Sequence, residues 1–224
     1  MIGREKNMNL EKIEEIAEKV LSERKTHLDR EAGYIYYHGQ RTANLVLELR
    51  ERLFPNDDSQ DDILYVAALF HDLGKDISPH NETGAALIKS VLDGHCSKEE
   101  LEEISQLIKR HNQRDKSEFC SKWAKLLQDA DKVENSGTIE VWLRFFESAT
   151  DGENMKETIE DWEEDFTEDE VEDIKEELNY EISEHILMDK VNFVRSFIDR
   201  FKKEADGEIC APLDQLNTPE KIAL

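Results

Sequence analysis

The chain has 224 residues, 53 of them Asp or Glu against 29 Lys or Arg, for a formal net charge of −24. That length suits one domain, or one domain with an appendage. So acidic a surface repels duplex nucleic acid and anionic membranes at long range, and it repels nucleotides unless a bound cation or a few local Lys and Arg reverse the field.

Apolar residues recur with helical spacing and strand signals are almost absent, so the expectation is an all-α chain. The first helix starts near Leu10, with Ile13, Ala17, Val20 and Leu21 on one face. The second carries His38, Thr42, Leu45, Val46, Leu49 and Leu53 and stops near Pro55. Ser59 is expected to cap the third, which places Ile63, Ala67, Phe70 and His71 inward and ends at Gly74. A fourth begins around Ser78-Pro79 and shows Gly84, Leu87, Ile88 and Val91. Ser97 and Glu100 form a capping box that opens a helix with Leu101, Ile104, Leu107, Ile108 and His111. The next segment carries Trp123, Leu126, Leu127, Ala130, Asp131 and Val133.

After Gly137 the composition shifts. Residues 151–177 are intensely acidic, with Trp162 and Phe166 as apolar anchors, and read as a solvated helix face or a partly ordered insertion. Thr167 and Glu170 form a second capping box before Val171, Ile174 and Leu178. A last helix aligns Leu187, Val191, Val194, Ile198 and Phe201, and the tail from Gly207 reads as irregular. Cys96, Cys120 and Cys210 are widely spaced and form no CxxC pair, which fits a reducing, cytoplasmic setting rather than a disulfide framework or a thiolate zinc site. The segment MIGREKNMNLEKIEE lacks the apolar run of a signal peptide, and no stretch approaches the ~20 apolar residues of a membrane span.

The informative feature is where the histidines fall. His38, His71 and His111 sit in the apolar register of their helices, His80 leads the apolar register of its own, and Asp131 directly follows an apolar run. One buried His is ordinarily a hydrogen-bonded core residue. Several His and two Asp on inward faces of different helices are costly without compensation, and a metal ion supplies it. His71 and Asp72 are neighbours, so within a helix they would point ~100° apart. They can converge on one ion only near a helix end.

Three strings, YYHGQRTANLVLEL around His38, AALFHDLGKD around His71-Asp72 and LLQDADKVE around Asp131, together resemble the HD-domain metal-dependent phosphohydrolase superfamily. HDLGK is the most specific of the three. The resemblance spans roughly residues 30–135. It implies an HD-domain helical bundle over residues 1–206, with a metal-binding core of about 30–135, an acidic helical C-terminal extension of about 138–206, and the 207–224 tail. It also implies His38, His71, Asp72 and Asp131 as ligands of a divalent ion (Mn, Co, Mg, Fe, Ni or Zn) that activates water against a phosphoester or phosphoanhydride of a small molecule, such as a nucleotide. Asp72 is further assigned to orienting that water. Lys75, one turn after His71, is placed to reach a phosphate as a point charge, and Arg41 is a second phosphate contact.

His80, in HNETGA, and His111, after ISQLIKR, resemble the extra histidines of superfamily members that hold two metals. Two ions about 3.5–4 Å apart clamp both the attacking and the leaving oxygen. The alternative for this pair is phosphate binding beside a single metal. Asp129 reads as a neighbouring carboxylate of Asp131, and Glu134 either approaches the site or forms a surface salt bridge. Tyr34, Tyr36 and Tyr37 read as core packing in preference to a pocket mouth. His95 reads as a surface loop residue, and His27 and His185 as structural or exposed. Two other readings stay open: a diiron oxygenase of the same fold, and a non-catalytic nucleotide-sensing or assembly module that retains the metal. The partner is then a small phosphorylated substrate, with no duplex nucleic acid and no membrane, and a homodimer stays open.

Overall fold

A computed structural model describes residues 8–24, 30–114, 120–208 and 210. Among them lie ten α-helices and no strand. They are α1 (Leu10–Leu21), α2 (Tyr34–Leu53), α3 (Asp61–Leu69), α4 (His80–Val91), α5 (Lys98–Arg110), α6 (Lys122–Glu134), α7 (Thr138–Asp151), α8 (Met155–Asp165), α9 (Glu168–Glu177) and α10 (Glu181–Ala205). None is long and apolar enough to cross a membrane. The tail expected to be irregular from Gly207 lies outside the described residues, except for Gly207, Glu208 and Cys210. His27 also lies outside them.

The starts of these helices are written in their caps. Asn9, Ser97, Ser121, Asn154 and Thr167 each accept a backbone N–H of the first turn through a side-chain oxygen. Ser97–Glu100, Asn154–Glu157 and Thr167–Glu170 are complete capping boxes. Each such cap is worth about 1 kcal/mol. Acid at the first turn also meets the positive end of the helix dipole, and α9 opens with Glu168, Asp169 and Glu170. The acidic stretch therefore folds as the two helices α8 and α9 rather than as a partly ordered insertion. Trp162, Ile159, Val171 and Leu178 are buried while most of the carboxylates face water.

Two details of the third helix differ from the sequence expectation. Ser59 does not cap it, because the Ser59 hydroxyl donates to Asp57 Oδ1 at 2.7 Å and the helix starts at Asp61 behind Gln60. Nor does it run to Gly74. It stops at Leu69, with Phe70 as C-cap, and His71 and Asp72 lie in the turns that follow. Gly74 serves close approach instead. A Cβ there would strike the His80 carbonyl and the Gly84 backbone, so only glycine lets this loop lie against α4.

The main core joins α1 to α6, with Ile13, Leu21, Ile35, Leu49, Leu64, Phe70, Ile88 and Ile104 fully buried. Two smaller clusters build the C-terminal part on α10. Val171, Leu178, Leu187 and Val191 pack on Val133 of α6, and Trp162 packs on Val194 and Ile198.

Candidate metal centre

His38 comes from the second turn of α2, His71 and Asp72 from the turns after α3, and Asp131 from the last turns of α6. The fold brings them together. His38 Nε2 lies 3.1 Å from His71 Nε2 and 3.2 Å from Asp131 Oδ1, and His71 Nε2 lies 3.3 Å from the same oxygen. These three residues form one group able to hold a metal ion. Both histidines and Asp72 are almost completely buried, whereas the Asp131 side chain is 19% exposed.

The far side of each ring explains why these nitrogens face inward. His71 Nδ1 donates to the Ala68 carbonyl at 2.7 Å, and His38 Nδ1 to Glu134 Oε2 at 2.5 Å. With the Nδ1 proton fixed, each neutral ring presents an Nε2 lone pair. Two lone pairs 3.1 Å apart, beside a carboxylate oxygen, repel one another unless a cation lies among them. The donor set of two imidazoles and a carboxylate suits a first-row divalent ion. Without one, protons take that role. Burial opposes charge on His38, but hydrogen bonds with Asp131 and Glu134 override it and raise the imidazole to about 9. Burial likewise works against ionised Asp131 and Asp72. The charge of His71, with His38 acting on Asp131 and Lys75 on Asp72, still takes both below the usual carboxylate range.

Asp72 turns to a second group. Its Oδ1 lies 3.8 Å from both His80 Nε2, at the first residue of α4, and His111 Nε2, the C-cap of α5. The two ring nitrogens are 3.3 Å apart. These three residues are again able to hold a metal ion. The His111 ring is oriented as His71 is, through Nδ1 to a carbonyl three residues earlier (Ile108, 2.6 Å), and burial pushes its imidazole down to about 4, leaving Nε2 unprotonated at neutral pH. Asp72 Oδ2 meanwhile lies 3.9 Å from His71 Nε2. Asp72 thus stands between the two groups.

Lys75 Nζ lies 3.2 Å from Asp72 Oδ2 with its side chain one-third exposed. Arg41 uses Nε on Glu134 Oε1, so it holds the carboxylate that holds His38. Glu134 is accordingly a buried partner of the site and not a surface salt bridge. Asp129 faces away from the cluster and binds the α9–α10 turn. Tyr34 stacks on the His38 ring at 5.6 Å and donates to Asn135, Tyr36 is buried, and Tyr37 is exposed. His95 sits half-buried in a turn, and His185 is exposed on α10.

Three basic residues escaped sequence reasoning. Arg114 donates to Asp131 Oδ2 at 3.1 Å and to the Gln128 carbonyl at 2.6 Å. Arg24 donates to the Leu73 and Lys75 carbonyls and clamps the turn that carries Asp72. Lys190 donates to the Val133, Glu134 and Ser136 carbonyls at the end of α6. Each is a lone charge in a charged sequence, with no spacing pattern to betray it.

The family model for the HD domain matches residues 35–136, the stretch that holds every residue of both groups. Residues 35–136 are an HD domain. No curated protein matches the chain significantly. Among solved structures, YpgQ of Bacillus subtilis superposes with a TM-score of 0.60 at 17% identity, over 88% of this chain and 97% of that one. YpgQ has also been solved in complex with ADP, with a TM-score of 0.60 at 18% identity over 87% and 93%. A protein from Lactobacillus plantarum gives 0.58 at 18% identity over 93% and 100%, and the Lin1889 protein of Listeria innocua 0.55 at 19% over 89% and 98%. The likeness is one of fold. It runs well past the HD domain, so helices after residue 136 belong to a shared architecture.

Proposed function

We propose that this chain is a metal-dependent phosphohydrolase that cleaves a phosphoester or phosphoanhydride of a nucleotide at a two-metal site, with His38, His71 and Asp131 holding one ion, His80 and His111 the other, and Asp72 shared. The observation that carries this reading is Asp72, whose two carboxylate oxygens address the two ring-nitrogen groups separately. Divalent ions bound there would supply a water of lowered pKa and positive charge against phosphoryl oxygens. The presence of an HD domain and the ADP complex of YpgQ favour a nucleotide.

The chain's own residues supply the rest. Lys75 gives a partly exposed ammonium beside Asp72 and binds a substrate phosphate as a point charge. Such positive charge is what a molecule of net charge −24 needs in order to admit an anion. Arg41 is the weaker phosphate contact of the two, because its Nε is already engaged by Glu134. Glu134 and the Ala68 and Ile108 carbonyls accept the Nδ1 protons and so aim the Nε2 atoms inward. Asp72 is placed to accept a proton from a water held between the two groups.

The test is phosphate release from mono-, di-, tri- and cyclic nucleotides with Mn, Co, Mg and Fe, run beside Asp72→Ala, together with metal content per chain. The expected result is metal-dependent release lost by at least about 10³-fold in Asp72→Ala, the scale of removing an essential catalytic group, with two equivalents of metal per wild-type chain. Release that survives Asp72→Ala overturns the site, and a single equivalent overturns the second ion.

A further inference from the structure

Among the six grouped residues, Asp131 and His80 have the exposed side chains, at 19% and 30%. A substrate whose phosphates reach this cluster leaves its organic part on one of those two sides. On the Asp131 side a cavity of about 650 Å³ opens between α6 and the helices that follow it. Small-molecule sites span about 300–1,000 Å³. Asp131 and Arg114 form the end of this cavity nearest the cluster. Arg114 reaches Asp131 Oδ2, so a guanidinium stands where the substrate would pass from phosphate to sugar.

The opposite wall has a different chemistry. Val171, Ile174, Leu187 and Val191, from α9 and α10, make an apolar face. Lys132, Asn135 and Ser136 line the α6 side of the same space, and Glu140, Glu170 and Asp173 add carboxylates, of which Glu170 accepts the Thr167 N–H in its capping box and Asp173 is exposed. An ionised carboxylate only accepts hydrogen bonds. Together they turn a phosphate away by like charge, and the exposed Asp173 rewards a flat apolar group that brings N–H donors. The cavity therefore has a polarity. Its phosphate end is at Asp131 and Arg114, and its ring end is on α9.

We propose that this cavity holds the base of the substrate and selects guanine, whose ring N–H and neighbouring exocyclic amino group donate side by side to one carboxylate. Adenine offers one amino group beside a ring acceptor, which a carboxylate repels. Hypoxanthine keeps the ring N–H but lacks the amino group. The ring-binding wall lies outside residues 35–136, so base selection is supplied by the helices after the HD domain. The proposal rests on the nucleotide reading above, and its test is made independent of catalysis.

Manganese-loaded full-length protein is titrated calorimetrically with guanosine, inosine and adenosine, none of which carries a phosphate. Guanosine is expected to bind at least about tenfold tighter than the other two, as a site built to pair a donor group rejects analogues that lack it. Asp173→Lys, an exposed change that removes an acceptor without touching the core, is expected to weaken guanosine about tenfold and leave metal content unaltered. Ile174→Trp, which fills the cavity, is expected to abolish guanosine binding, with thermal melting confirming a folded chain. Equal binding of the three nucleosides, no binding of any, or guanosine binding untouched by both variants overturns the pocket. Guanosine selectivity in a protein that hydrolyses no phosphate ester would sink the hydrolase reading and keep the pocket, and unselective hydrolysis would do the reverse.

Discussion

Glu134 decides which nitrogen of His38 faces the cluster. Its Oε2 accepts from Nδ1 at 2.5 Å, and its Oε1 accepts from Arg41. Replacing it by Gln keeps the size but offers Nδ1 an amide N–H as readily as an oxygen. That favours the tautomer with the proton on Nε2, which cannot ligate. Glu134→Gln is therefore expected to lower manganese affinity by about 10- to 100-fold, the usual cost of losing a partner behind a ligand, with helix content unchanged. Isothermal titration with Mn²⁺ measures it, and wild-type affinity would falsify the orienting role. His38, His71 and His111 stand out in the sequence because each falls in an apolar register where a His is anomalous, and Asp131 because it directly follows an apolar run, whereas Asp72 is implied only by the HD-domain resemblance. The split of His71 from Asp72 between two groups is not legible there, because it depends on α3 ending at Leu69 rather than at Gly74. Nothing local marks that stop. The packing around it depends on Gly39 and Gly74, which let α2 approach Leu69 and let α4 approach the HD turn.

At the scale of elements, α6 carries Asp131 and Glu134, and its own position is fixed from the C-terminal side. Lys190 of α10 donates to three carbonyls at its end, filling acceptors that a helix terminus leaves open and meeting the negative end of its dipole. Asp129, fully buried, accepts from the backbone N–H of Asn179 at 2.9 Å and of Tyr180 at 3.1 Å, and from the Asn179 amide at 2.8 Å. Asp129→Ala would strand those two backbone donors in the interior. The expected loss is about 2–4 kcal/mol of folding stability, set by the cost of unsatisfied buried donors, and denaturant unfolding reads it directly. A change within about 0.5 kcal/mol, the range of ordinary surface substitutions, would show that the α9–α10 turn does not staple α6. Sequence gave this level unevenly. Ser97 and Thr167 announce α5 and α9 through their capping boxes. α7 has no side-chain cap, and α8 buries Trp162 and Ile159 among acids, so neither stands out as a helix until α10 is there to pack on it.

Across the whole molecule, the two groups of ligands join α2, the turn after α3, α4, the end of α5 and α6. A metal bound there ties together parts of the chain far apart in sequence, and it binds the folded state alone, because the unfolded chain scatters these side chains. Binding of that kind adds RT ln(1 + [M]/Kd), or about 2.7 kcal/mol at a concentration 100 times Kd. For a chain of this size that corresponds to a rise in Tm of about 5–10 °C. A second effect has the same sign and must be separated from it. With a net charge of −24 the folded chain repels itself, so any added cation stabilises it by screening. Screening depends on ionic strength and is indifferent to Asp131, whereas site binding depends on Asp131 and little on salt. Thermal melts of chelator-stripped protein, at ionic strength held constant with NaCl, are expected to shift upward by about 5–10 °C on adding saturating Mn²⁺. In Asp131→Ala that shift should shrink, because only the Asp72, His80 and His111 group is left to hold an ion. An equal manganese shift in both proteins would mean that the acidic surface, not the buried histidine groups, takes up the ion.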